Sequence, residues 1–67
     1  MITFEEAVDA IKLQYKSGSC DSAFDFGMGV IYVLAIGKII SPDEVRILRE
    51  TNKSAYLDAI RHKNKGL

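Results

Sequence analysis

Three side chains in this sequence have the chemistry of a catalyst: the thiol of Cys20, the imidazole of His62 and the lone carboxyl of Asp25. A cysteine reacts as its thiolate, and a position just ahead of a helix amino terminus favours that form. Cys20 is expected there, in the polar connector "SGSCDSAFD". It has no histidine nearby to take its proton and no second cysteine to resolve a disulfide. His62 sits in "RHKNK" among Arg61, Lys63 and Lys65, which reads as a cationic end complementing a helix carboxyl terminus rather than a general base. Asp25 follows Ser22 by three residues, the spacing of a helix cap and its return partner, so it is expected in a first helical turn. One cysteine and one histidine fall short of a structural zinc site and allow no internal disulfide. The expectation is a chain with no catalytic residues, no metal site and no cofactor.

Two further patterns have to be weighed. The glycines of "FGMGVIYVLAIG" lack the Gly-Lys-Ser/Thr ending of a phosphate loop and do not match the dinucleotide fingerprint. Their use is to let helices approach closely. Arg46, Lys53 and Arg61, with Arg49 at the edge, fall on one side of a helix as a phosphate-tracking stripe would. Glu50 and Leu57 interrupt that stripe. In a helix-turn-helix built on "GKIISPDEVRIL", Asp43 and Glu44 would occupy the positions that normally touch DNA. Nucleic-acid binding through the basic side of the third helix is therefore the alternative reading of function, not the first.

The elements that position these residues are legible from their punctuation. "TFEE" is a capping box, Thr3 reaching the amide of Glu6 and Glu6 reaching back. Phe4, Ala7, Val8, Ile11 and Tyr15 then share one face at 100° per residue, against Glu5, Glu6, Asp9, Lys12 and Lys16 on the other. This predicts a first helix over 4–17, stopped at Gly18. Ser41-Pro42-Asp43-Glu44 opens a third helix over 42–64: serine caps, proline suits the first helical position and both acids meet the positive end of the dipole. Val45, Leu48, Asn52, Ala55, Tyr56, Ala59 and Ile60 form its inner face, and Gly66 ends it. "TNKS" at 51–54 is the weak point of a helix read as continuous, with a kink or a division into two short helices as the alternative. Asn52 accordingly has two readings, as a cap of a second short helix or as a buried or dimer-facing polar residue that fixes register.

The middle segment is rich in β-branched residues, as a buried strand would be, but no other segment alternates with period two to give it a sheet. A second helix over 22–37, ended by Gly37, is the reading that follows. Ala23, Gly27, Val30 and Leu34 centre one side of it, and Asp25, Gly29, Tyr32 and Ile36 form the only seam that water would reach. A helix apolar on nearly every side must be covered on nearly every side.

The chain is thus expected to be all-α, a small three-helix domain over residues 1–67. A domain of about 60 residues buries only ~60% of its unfolded surface and is marginal without staples or partners. Two amphipathic helices cannot shield the whole of the second, so Phe24, Phe26, Met28, Gly29, Tyr32, Val33 and Ile36 are the expected self-association surface of a homodimer. The Ile47/Leu57 side of the third helix is a second place for a protein partner. Formal net charge is zero, so bulk attraction to nucleic acid or anionic lipid is not implied, although five acids against two bases precede Lys38 and seven bases against four acids follow from it. No charge falls between Phe26 and Gly37, but a run closed by Asp25 and Lys38 is too short to span a bilayer, and no membrane association is expected. Glu5 and Glu6 stand where a signal peptide carries bases, and the free thiol suits a reducing compartment, so the expected location is the cytoplasm.

Overall fold

The computed structural model describes residues 3–17 and 19–65, and the side chains at 17 and 63–65 lie outside the described set. Gly18 and Gly66, the expected stops, also lie outside the described residues. The chain forms three helices, α1 (Phe4–Ser17), α2 (Cys20–Ile36) and α3 (Pro42–Lys65), each packed against the other two. Among the described residues there is no strand, so the β-branched middle segment is helical.

Both outer helices begin as their sequences require. Thr3 N donates to Glu6 Oε1 at 3.0 Å and Glu6 N to Thr3 Oγ1 at 3.1 Å, a reciprocal capping box. The bond from the Thr3 amide also holds the Glu6 carboxyl below its ordinary pKa. Ser41 and Glu44 repeat the arrangement at the start of α3, at 2.9 and 3.2 Å.

The start of α2 differs from expectation, and the structure settles the detail of two other junctions. α2 begins at Cys20 rather than residue 22, because Ser19, not Ser22, is its N-cap and accepts from Ser22 N at 3.1 Å. Cys20 is therefore a half-buried helical residue and not part of a loop. Asp21 takes the first-turn position, which moves Asp25 to an exposed site in the second turn. At the other end Gly37 is the C-cap but keeps right-handed backbone angles, and the left-handed residue is Lys38, at φ 55°. Lys38 N donates to Ala35 O at 3.1 Å and Ile39 N to Leu34 O at 3.0 Å. This pair of bonds is the Schellman closure normally built on glycine. Finally, α3 runs unbroken through 51–54, so Asn52 caps nothing.

The core consists of Ala7 and Ile11 from α1, Ile31 and Leu34 from α2, Leu48 from α3, and Ile40 from the α2–α3 turn. Phe4, Val8, Tyr15, Val30 and Val45 pack around it. These are the inner faces that the helical periodicity predicts for α1 and α3. Of the two turn isoleucines, Ile40 is buried and Ile39 is 40% exposed.

Candidate functional site

The geometry that organises the molecule is a polar seam at the meeting point of the three helices. Asn52 is fully buried on the inner face of α3. Its Nδ2 donates to the Phe24 carbonyl of α2 at 3.2 Å, and its Oδ1 accepts from the Tyr15 hydroxyl of α1 at 2.7 Å. Among the described residues no buried side-chain polar atom lacks a partner. Gly27 makes the space for this amide: a β-carbon there would overlap the Asn52 side chain, with Nδ2 only 2.8 Å away. The two glycines of "GMG" thus have opposite surroundings, since a β-carbon on Gly29 would meet nothing within 4 Å.

A second phenol adjoins the seam. Tyr56 donates to Asp21 Oδ1 at 3.1 Å, and its ring packs on Phe24 at 5.1 Å between centroids. That bond, which favours the protonated phenol, raises the Tyr56 pKa, and the Asp21 charge adds to it. Burial raises the Tyr15 pKa, with smaller contributions from Cys20 and Tyr56. Both tyrosines stay neutral donors at physiological pH, and their hydroxyls hold helices together.

Above this seam α2 turns an apolar face outward. Tyr32, Val33 and Ile36 are each more than 60% exposed, Phe26 is 40% exposed, and Gly29 lies among them. Met28, at 39%, stands to one side. Phe24 departs from the expected surface: half-buried against Tyr56, it belongs to the α2/α3 contact instead. The narrow seam expected to be wet is the centre of this face, and the apolar flank of Phe26 and Val33 is exposed with it.

The four bases of the expected stripe do not share one environment. Arg46 pairs with Asp43, and Arg61 approaches Asp58 at 3.7 Å, each one turn away on the same helix. Arg49 and Lys53 pair with no carboxylate among the described residues and border the groove between α2 and α3. His62 is exposed and borders a separate groove between α1 and α3 with Lys12, Lys16, Glu50 and Asp58. Among the described residues no three metal-ligating side chains cluster, and no helix is long and apolar enough to cross a membrane.

Sequence reasoning placed Asn52 on the inner face but had no signal for its partners. Tyr15 reads as one more apolar-face aromatic, and a backbone carbonyl acceptor leaves no mark in a sequence. Compared with known proteins, the chain matches no family model, no curated protein and no solved structure.

Proposed function

We propose that this chain is a non-catalytic helical interaction module of the cytoplasm that self-associates through the outward face of α2. The observation that supports this reading is the contiguous exposure of Phe26, Tyr32, Val33 and Ile36, with no charge between Asp25 and Lys38. With Met28 and Ile39 at the margins, these side chains present on the order of 600 Å² of accessible surface, near the lower edge of what one partner contributes to a specific interface. A two-fold axis lets one such patch cover its own copy. The small core argues in the same direction. Among the described residues seven buried apolar ones, two of them alanines, must hold a chain without an internal disulfide, and burying a second apolar face is the ordinary remedy at this size. The cytoplasmic assignment draws on the unpaired thiol of Cys20.

Sedimentation equilibrium tests the proposal directly. The wild-type chain is expected to form a dimer at micromolar concentration, and Gly29→Leu is expected to abolish it with helix content retained, because Gly29 is exposed and a β-carbon there meets nothing within 4 Å in the monomer. A strict monomer at high micromolar concentration refutes self-association. The nucleic-acid alternative rests chiefly on Arg49 and Lys53, neither of which forms an ion pair with a described carboxylate. Binding to generic duplex DNA that collapses between low and moderate salt would favour it.

A further inference from the structure

We propose that the groove between α2 and α3 receives an amphipathic helix that carries carboxylates beside its apolar stripe. Phe24, Met28, Tyr56 and Leu57 line one end of this groove, with Arg49 and Lys53 on its border. Met28 and Arg49 also border an adjoining hollow that reaches Ile31 and Ala35, so the two form a continuous channel. From Phe24 to Ala35 the channel follows α2 for about three turns, ~16 Å at the helical rise. That length suits the apolar stripe of a short helix, with anchors at i, i+3 or i+4, and i+7. Its lining is available to a ligand: Leu57 is 46% exposed and Met28 39%. The unbranched thioether of Met28 can adjust to different apolar anchors.

Charge decides which helix fits. Every other arginine of α3 has a carboxylate one turn away, Asp43 for Arg46 and Asp58 for Arg61. The two cations at the channel are exposed and form no ion pair among the described residues. Glu50, one turn before Lys53, lines the groove on the α1 side of α3 instead. The Arg49 guanidinium offers a planar fork matched to a carboxylate, and the Lys53 ammonium adds a point charge one turn further on. An acidic partner helix is drawn in and set in register by these two groups. A basic one meets like charge at the same positions and is rejected. One end of the channel shares Gly29 and Tyr32 with the outward face, so a dimer through that face would cover this end, whereas a strictly monomeric chain presents the whole channel.

Fluorescence anisotropy with two labelled peptides of about 14 residues, ~21 Å when helical, tests the proposal. Both carry leucines at helical spacing; one places glutamates beside them and the other lysines. The acidic peptide is expected to bind at least about tenfold more tightly, with the advantage shrinking as salt is raised. Combined Arg49→Glu and Lys53→Glu is expected to invert the preference, and Arg46→Glu with Arg61→Glu to leave it intact. Should the reversed variant lose its helical circular dichroism, the neutral pair Arg49→Gln and Lys53→Gln must abolish the preference instead. Equal binding of the two peptides, binding of neither, or a preference that ignores Arg49 and Lys53 overturns the proposal. A preference equally sensitive to Arg46 and Arg61 overturns it too, by showing a general charge effect.

Discussion

Gly27→Ala and Gly29→Ala are the same chemical change two residues apart on one helix, and they are expected to move stability in opposite directions. Replacing an exposed glycine within a helix by alanine stabilises by about 1 kcal/mol through backbone entropy. At Gly29 nothing opposes that gain, because the new methyl group meets open space. At Gly27 the methyl group overlaps the Asn52 amide. Accommodating it costs about 1–3 kcal/mol in overpacking. Displacing the amide also strands the buried Asn52 polar atoms, at about 1–3 kcal/mol for a buried unpaired group, while the Tyr15 hydroxyl keeps the Asn52 backbone carbonyl within reach at 3.2 Å. After the propensity gain, the net loss at Gly27 is about 1–5 kcal/mol, which is on the order of 5 °C or more in Tm for a chain of this size. Urea denaturation followed by far-ultraviolet circular dichroism, at concentrations where the chain is monomeric, measures both. Adding Asn52→Ala to Gly27→Ala should recover at least about 1 kcal/mol relative to additivity, since the obstructing side chain is gone. A Gly27→Ala variant as stable as Gly29→Ala would refute the packing of the amide against this glycine.

Three other outcomes follow from the ends of the helices and from the tyrosines. Lys38→Gly should stabilise by about 1 kcal/mol in the same assay, because it relieves a left-handed non-glycine residue without disturbing the closure bonds around it. Ser41→Ala should destabilise by about 1 kcal/mol by removing the acceptor for Glu44 N, and a neutral result would mean that water serves that amide equally well. The raised pKa values of Tyr15 and Tyr56 mean that the unfolded chain releases these protons first as pH rises. Their contribution should be intact below the ordinary tyrosine pKa of about 10 and be lost as pH rises through the folded values. Urea midpoints measured across that range should fall, and fall less in Tyr56→Phe.

Local rules explain what the sequence reveals of this fold. The starts of α1 and α3 are written in residues that touch within one turn, Thr3 with Glu6 and Ser41 with Glu44. The start of α2 is ambiguous in the same local language. Ser19 and Ser22 can each cap a helix, and the acid three residues after Ser22 favours the wrong one. "TNKS" looks like a break because asparagine and serine side chains compete for nearby backbone groups. In the folded chain the Asn52 amide is turned inward to Phe24 and Tyr15, 28 and 37 residues away in sequence, rather than toward its own helix. The apolar excess of α2 is plain from its composition. Which side remains outward depends on where α1 and α3 dock, and the cover of Phe24 is Tyr56 of α3, 32 residues away in sequence.

The bonds around Asn52 also bear on the order of events in folding. Tyr15, Phe24 and Asn52 lie on three different helices, so neither bond can form until the helices concerned have docked in register. Each helix can form its own turns beforehand, and the apolar faces of Ile11, Ile31 and Leu48 tolerate small offsets while they collapse. The hydrogen bonds do not tolerate them: a shift of α3 by a single turn, ~5.4 Å, removes both partners from reach, and a like shift of α1 or α2 removes one. Contacts absent from the transition state stabilise the native side of the barrier alone, and so govern how slowly a protein opens rather than how fast it closes. Tyr15→Phe is expected to accelerate unfolding several-fold in a denaturant chevron and to leave the refolding limb almost unmoved. A slowed refolding limb would instead place the three-helix junction in the nucleus. On this view the buried asparagine acts as a latch, and the lifetime of the folded chain is set by one amide that a leucine could have replaced in volume but not in timing.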